Sequence, residues 1–287
     1  MQELLHTVWH IVLHSLVDTA KLIPFLFLAY LLMEFIENKA SEKMEKTMKR
    51  VGRAGPVIGS ALGLFPQCGF SASIANLYAT GLVSVGTVIA VFLSTSDEAV
   101  LLMVSDPQSV GQVWKLLLSK FIIALVAGFA VDVVLKLTGF KKKEIDLCEN
   151  CGCDEEGGIF RSAVYHTVRI VIFIFVINLI FGAVFETVGE ERVSSLLSDI
   201  GSSWYMPLIT AVVGFIPNCA SSIILTELYI EGALSFGAAV AGLCSGAGIG
   251  VAVLIKTNRS KRENLMIIAI LYFTAVISGV ALQLLGI

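Results

Sequence analysis

Two copies of a short polar triplet stand out among apolar residues as a place where chemistry could occur. Each copy has proline, an amide residue and cysteine in succession, with a serine three residues after the cysteine. Amide oxygens suit hard metal ions, and cysteine sulfur suits soft ones. The copies comprise Pro66, Gln67, Cys68 and Ser71, and then Pro217, Asn218, Cys219 and Ser222. The simpler explanation is that kinks and small residues only let helices pack closely.

A second polar group contains two adjacent acids inside an apolar run. Its members are Ser94, Thr95, Ser96, Asp97 and Glu98. A charged side chain at the bilayer centre costs about 2.5–3.5 kcal/mol on insertion scales, so two of them require a partner or a role. The oxygen-rich group therefore predicts binding of a hard divalent cation or exchange of a proton. Solvated acids at a helix end near the outer surface are the alternative.

Two further groups could capture or relay ions. His6, His10, His14 and Asp18 follow one another at intervals of four residues, which places them along one helix face. We expect Asp18, with His14 and His10, to form a proton relay, against the alternative of an amphipathic entrance. Cys148, Cys151 and Cys153 could capture a soft metal or metalloid, although a solvated linker explains them equally well.

The composition of the chain defines the elements that must carry these groups. Of 287 residues, 56% are hydrophobic and only 15% are charged, and the mean hydropathy is +0.85. These values exclude a disordered chain, a disulfide scaffold and a nucleic-acid binder, and they predict an all-α membrane protein. The N-terminus has no basic region before its first apolar run, so we expect that run to be retained.

Eight apolar stretches are long enough to reach into a bilayer. They are Leu4–Ile36, Gly55–Ala79, Leu82–Val104, Trp114–Leu137, Ala163–Phe185, Tyr205–Ile230, Ala233–Ile255 and Leu265–Leu285. The second, third, sixth and seventh carry Gly, Pro, Ser or Cys near their middles. We expect these four to be interrupted helices.

The chain also contains an internal repeat. An offset of 151 residues carries Pro66 onto Pro217, and the same register aligns further Cys, Tyr, Gly and Ser residues without a gap. Lys and Arg are abundant in 39–53 and absent from 105–112, and this bias reverses in the second half. The positive-inside rule then predicts that the two halves are inserted in opposite orientations. Inverted repeats are typical of secondary transporters.

Loop orientation adds a constraint on the number of crossings in each half. The basic loop 39–53 and the neutral loop 105–112 are expected on opposite sides, so the two apolar stretches between them must cross the membrane an odd number of times. One of these stretches should therefore be a re-entrant hairpin that does not cross. The same argument applies to the second half, and Pro66 and Pro217 are the expected tips of the two hairpins. This gives five helical elements per repeat and both termini outside. The predicted division is 1–138 for the first repeat, 139–160 for a cytoplasmic Cys-rich and acidic loop, and 161–287 for the second repeat.

The predicted function follows from the hairpins, which should meet near the midplane and enclose a transported substrate. The sequence has no nucleotide loop or hydrolytic triad, so we expect neither an enzyme nor a cofactor. Expected partners are the lipid bilayer and the substrate, and the sequence is compatible with a homodimer. Two other classes stay open: a transporter of small organic anions and a membrane subunit of a larger assembly.

Four segments resemble the bacterial ten-helix heavy-metal exporters, described variously as arsenic efflux proteins and manganese transporters. The resemblance lies in Asp18–Leu28, Pro66–Ser71, Leu93–Ala99 and Pro217–Cys219, and it extends over nearly the whole chain apart from the loop 141–158. It implies a metal or metalloid exporter of the bacterial cytoplasmic membrane.

The candidate ligands point to two classes of metal. Manganese prefers carboxylate and carbonyl oxygen, whereas trivalent arsenic and soft metals prefer thiolate. Asp97 and Glu98 favour the first, and Cys68 and Cys219 favour the second. Because intramembrane acids cost more than intramembrane thiols, we expect a divalent cation such as Mn²⁺, with arsenite, organoarsenicals or soft heavy metals as the alternative.

Overall fold

The computed structural model describes most of the chain from residue 54 onward and scattered helical positions before it. The described residues are 9, 12–13, 15–17, 19–20, 23–24, 26–28, 31, 54–65, 68–107, 109–139, 158–188, 203–217 and 219–286. Within helices, the side chains of Cys68, Asp97, Glu98, His166 and Cys219 are among those that lie outside the description.

The described part of the chain is helical, with no strand in it. The helices are α1 (Ala54–Gly63), α2 (Cys68–Ala79), α3 (Val85–Ser94), α4 (Asp97–Ser105), α5 (Val110–Leu137), α6 (Gly158–Val188), α7 (Met206–Gly214), α8 (Cys219–Ile230), α9 (Phe236–Ser245), α10 (Ile249–Thr257) and α11 (Lys261–Leu284). Five apolar stretches of the described residues are long enough to cross a membrane: Val85–Ser105, Val110–Leu137, Ala163–Ile180, Phe236–Thr257 and Lys261–Leu284.

Burial separates the interior spans from the peripheral ones. The apolar windows of Val85–Ser105 and Phe236–Thr257 are 75% and 78% buried, whereas those of α5 and α11 are each 22% buried. The peripheral helices turn apolar side chains such as Val126 and Ile277 outward. Since lipid tails accept apolar surface, this pattern places the interrupted spans at the centre of the protein and the continuous ones at its lipid-facing edge.

Each of the four stretches with central Gly, Pro or Ser consists of two short helices. The interruptions lie at 64–67, 95–96, 215–218 and 246–248. At the last of these, Gly248 has φ 51° and ψ −134°, a conformation that only glycine adopts without strain. Backbone polar groups freed at such breaks need partners. At the break between α3 and α4, Thr95 and Ser96 are buried in the protein interior.

The offset of 151 residues also relates the helix boundaries. It carries Cys68–Ala79 onto Cys219–Ile230 and Val85–Ser94 onto Phe236–Ser245. Capping repeats as well, because Ser84 accepts a hydrogen bond from the Thr87 amide and Ser235 accepts one from the Ala238 amide. A hydroxyl at this position satisfies a free N–H of the first turn. The same local signals therefore start corresponding helices in both halves.

Close backbone approach between helices is repeated in the two halves. A Cβ added to Gly86 would lie 2.2 Å from the carbonyl oxygen of Gly128, and one added to Gly237 would lie 2.4 Å from that of Gly279. These contacts join α3 to α5 and α9 to α11. Small residues permit such approach in membranes, where the hydrophobic effect does not drive helices together.

The two halves interlock through their short helices. Helix α2 packs against α10, and α8 packs against α4. Gly250 of α10 approaches Ser71 of α2, and further along both helices Thr257 donates a 3.0 Å hydrogen bond to Asn76. Residue numbers increase on both helices from the first contact to the second, so α2 and α10 run in the same direction.

The N-terminal segment packs against α6. The Asn178 amide donates a 3.3 Å hydrogen bond to the Thr19 hydroxyl, and the rings of Phe27 and Phe160 meet edge to face at 5.5 Å. From the first contact to the second, residue numbers increase in the N-terminal segment and decrease in α6, so the two run antiparallel. Thr19 and Asn178 are both buried, so the hydrogen bond lies inside this contact.

Candidate functional site

The C-terminal ends of four short helices meet at the centre of the protein. Helix α1 ends at Gly63, where an added Cβ would lie 2.0 Å from Ser94 Oγ at the end of α3. In the second half α7 ends at Gly214, where an added Cβ would lie 2.3 Å from Ser245 Oγ at the end of α9. Glycine allows these ends to touch. Since helix C-termini carry partial negative charge, their convergence favours a cation.

A run of three buried hydroxyl residues covers the break between α3 and α4. Ser94 donates to the Ala90 carbonyl at 2.8 Å, Thr95 to the Val91 carbonyl at 2.7 Å and Ser96 to the Ser94 carbonyl at 3.0 Å. Each hydroxyl thus uses its proton on the backbone and keeps lone pairs to accept or ligate. The sequence predicts Ser94, Thr95 and Ser96 as substrate ligands, and they lie at the helix ends just described.

The predicted serines after the two cysteines differ in their surroundings. Ser71 is fully buried in the first turn of α2 and faces the backbone of Gly250 across the boundary between the halves. Ser222 is half-buried in the first turn of α8. Both occupy helix starts next to a break, and Ser71 also lies at the interface between repeats.

A fully buried lysine, which is not among the residues predicted from the sequence, lies at the centre of the protein. Lys120 is on α5, and its Nζ donates to the carbonyl oxygen of Thr95 and, at 2.7 Å, to that of Leu243. It therefore links the end of α3 to the end of α9. The signal in the sequence is its position, ten residues into a 28-residue apolar helix and so about 15 Å deep.

The buried faces of α5 and α11 correspond in the two halves. On α5 the buried residues are Leu116, Lys120, Ala124 and Gly128, and on α11 they include Ile267, Leu271, Ala275 and Gly279. The offset of 151 therefore pairs Lys120 with Leu271. The repeat register cannot point to Lys120, because the second half has an apolar residue at the same place.

A polar rim joins the halves at the far ends of α2 and α8. Tyr78 is fully buried, and its hydroxyl donates a 2.9 Å hydrogen bond to the Glu263 carboxylate. Its counterpart Tyr229 donates to the Gln112 side chain. The offset of 151 relates both members of the two pairs. Each pair ties a short helix of one half to the first turn of a long helix of the other.

Several predicted site residues lie outside the described part of the chain. This applies to His10, His14, Asp18, Gln67, Asn218 and the loop cysteines Cys148, Cys151 and Cys153. Cys68, Asp97, Glu98 and Cys219 are described by their backbone alone, at the first positions of α2, α4 and α8. Among the described residues, no three His, Cys, Asp or Glu side chains form a metal-binding group.

Comparison with known families identifies the class of protein. A family described as "Putative, 10TM heavy-metal exporter" matches residues 7–187 and 159–286. The chain belongs to this family of multi-pass membrane transporters, as its sequence resemblance predicts. No curated protein and no solved structure gives a significant match.

Proposed function

We propose that the protein is a secondary transporter that exports a divalent metal ion such as Mn²⁺ by alternating access. The observation that carries this proposal is the meeting of four helix C-termini at a buried break lined by Ser94, Thr95 and Ser96. Exposed carbonyls and helix C-termini at membrane depth are the groups that coordinate cations in secondary transporters.

Packing within each half supports a re-entrant hairpin. Gly55 at the start of α1 approaches Thr87, and Gly63 at its end approaches Ser94, so α1 runs parallel to α3. Only five residues, 80–84, separate the end of α2 from the start of α3. Both ends of the α1–α2 pair therefore lie near the start of α3. In the second half, Thr210 and Gly214 of α7 contact Ala238 and Gly242 of α9 in the same order.

Contacts between the halves support an inverted arrangement. Helix α2 runs parallel to α10, which corresponds by the offset of 151 to α4 of the first half. A hairpin that returns its chain to the side where α3 begins makes α2 and α4 run to opposite sides. Corresponding helices α4 and α10 then point to opposite sides as well. The antiparallel contact of the N-terminal segment with α6 agrees with this topology.

The metal site in this proposal combines oxygen and sulfur ligands around the breaks. Asp97 and Glu98 stand at the start of α4, and Cys68 and Cys219 start α2 and α8. Gln67, Ser71, Asn218 and Ser222 complete the lining, with Asp18, His14 and His10 as the proton relay. Acids at a helix start are stabilised by the positive end of its dipole, and oxygen ligands select Mn²⁺ over softer ions.

The proposed setting is the bacterial cytoplasmic membrane, with both termini outside. The loop 139–160 then faces the cytosol, where Cys148, Cys151 and Cys153 could deliver ions to the site. Basic residues within 39–53 support this orientation through the positive-inside rule.

Transport into inside-out vesicles tests the proposal directly. With an imposed proton gradient, we expect Mn²⁺ uptake that saturates with concentration and collapses when the gradient is dissipated. Vesicles without the protein give the background. Robust arsenite movement with no uptake of Mn²⁺ would overturn the assignment of a divalent substrate.

Single substitutions locate the site. Asp97→Asn and Cys68→Ser should each reduce Mn²⁺ uptake, and Gly111→Ala provides the control, because an added Cβ at Gly111 meets nothing within 4 Å. If both site variants transport like the control, the site lies elsewhere.

Trivalent arsenic is the second candidate, favoured by the charge at the centre. The ammonium of Lys120 repels a divalent cation, whereas arsenite is neutral at pH 7 and is not repelled. The thiol of Cys244, the residue after Leu243, is buried in the same region. Cys244→Ser should then impair arsenite efflux and leave Mn²⁺ uptake unchanged, a contrast that separates the two substrates.

A further inference from the structure

The ammonium of Lys120 occupies a position between two helix ends that resembles a cation site. It is bound to the carbonyl oxygens of Thr95, at the end of α3, and Leu243, near the end of α9. These two helices belong to different halves of the protein. The side chain has no exposed surface, so neither carbonyl can take water in place of the ammonium without rearrangement.

Helix charge favours a cation there. Each helix C-terminus carries roughly half a negative charge, so the two ends together attract a positive charge. Backbone carbonyls at interrupted helices also form the Na⁺ sites of many secondary transporters. Lys120 supplies a positive charge and hydrogen-bond donors to the two carbonyls.

We propose that Lys120 is a tethered substitute for a monovalent cation, which makes the protein independent of Na⁺ and K⁺. Leu271 holds the corresponding position in the second half, so one lysine serves both helix ends. The consequence for transport rests on the proposed function: metal export is then driven without Na⁺ or K⁺. The consequence for ion binding and stability does not depend on which substrate is transported.

Two substitutions at Lys120 distinguish a cation site from a packing role. Lys120→Ala removes the charge and leaves space beside the carbonyls of Thr95 and Leu243. Lys120→Met removes the charge and fills much of that space with an apolar chain. A released cation site should bind Na⁺ in the first variant and not in the second, whereas a packing role predicts that methionine restores more stability than alanine in any salt.

The experiment is thermal unfolding of the purified full chain in detergent, in NaCl, KCl or choline chloride at one ionic strength. The wild type should unfold at the same temperature in all three salts. Lys120→Ala should unfold several degrees lower in choline chloride and recover part of this loss with Na⁺, in a saturable manner. Lys120→Met should show the loss without recovery.

Control variants separate the charge effect from general damage. Leu271→Ala creates a cavity at the corresponding buried position, and Lys136→Ala removes an exposed lysine from the same helix α5. Neither should gain a Na⁺ response. A Na⁺-dependent wild type would overturn the proposal, as would an equal Na⁺ response in Lys120→Ala and Lys120→Met. Failure of Lys120→Ala to fold in any of the three salts also contradicts it, because Na⁺ would then not replace the ammonium.

Transport measurements test the same proposal in a membrane. Proteoliposomes with wild-type protein should export equally in sodium and choline media, and Lys120→Ala should require Na⁺. If the wild type transports no metal, the proposed function fails while the unfolding measurements still report on the tethered cation.

Discussion

The two halves of the protein share a scaffold but differ in their charged residues. Corresponding glycines support the same helix contacts, and corresponding serines cap the same helices. At the centre, however, the first half has Lys120, Asp97 and Glu98, where the second has Leu271, Gly248 and Ile249. The repeat therefore supplies a shared scaffold of interrupted helices, while these central charged residues lie in the first half.

The largest expected difference between the halves concerns transport. Glu98→Gln removes a proposed ligand, and we expect the rate of metal uptake to fall about 10–100-fold, the loss typical when groups that order a metal site are removed. Ile249→Val at the corresponding position should change uptake less than about twofold, because it alters one methyl group. Equal rates for both variants in the vesicle assay would remove the functional asymmetry.

The shared scaffold predicts equal effects of glycine substitution in the two halves. Gly86→Ala and Gly237→Ala each place a methyl group within 2.4 Å of a backbone carbonyl. Each should destabilise the protein by about 1–3 kcal/mol, the usual cost of overpacking. Thermal unfolding in detergent measures this loss, with Gly111→Ala as a control that should be neutral or slightly stabilising. A silent Gly237→Ala would show that the halves do not share this contact.

A third comparison concerns the start of α3 and the start of α9. Asp132 accepts hydrogen bonds from Ser84 Oγ at 2.7 Å and from the Gly86 amide at 2.8 Å. Because hydrogen bonds to a charged group are strong, Asp132→Ala should lower the free energy of unfolding by about 2 kcal/mol. Gln283→Ala, the counterpart on α11, should cost about 0.5 kcal/mol. Denaturant titration of both variants gives the ratio, and similar losses would contradict it.

The smallest expected difference is at the polar rim. Tyr78→Phe loses a hydrogen bond to the carboxylate of Glu263, and Tyr229→Phe loses one to the amide of Gln112. The first should cost about 1.5 kcal/mol and the second about 0.5 kcal/mol, since only the first bond involves a charged acceptor. In a Glu263→Gln background, Tyr78→Phe should cost no more than Tyr229→Phe does. An unchanged cost in that background would show that the carboxylate charge contributes nothing.

Local features of the fold were accessible from the sequence because their causes are local. Proline, glycine and serine weaken a helix when they cluster near the middle of an apolar stretch, and these clusters predicted the four divided stretches. A repeat register of 151 residues preserves caps and glycines, and helix boundaries such as Cys68–Ala79 and Cys219–Ile230 obey it. The caps and the interrupting residues act within a few residues of the helix boundaries that they determine.

Partners across the molecule were not accessible in the same way. Hydropathy shows that α2 is apolar, but it does not show that α2 packs against α10 of the other half. Lys120 was missed for a related reason: its acceptors, Thr95 and Leu243, lie 25 and 123 residues away in the chain. Its depth in an apolar helix marks it as costly, yet only the three-dimensional structure shows which carbonyls satisfy it.

The backbone at Gly248 restricts how the second half could change over evolutionary time. Its φ of 51° and ψ of −134° exclude the aspartate that the first half has at the corresponding position 97. A chain that acquired an acid there would first need a different break between α9 and α10. A second-half counterpart of Asp97 would therefore require both a substitution at Gly248 and a change of backbone conformation. The two halves therefore differ in backbone geometry at this position as well as in sequence.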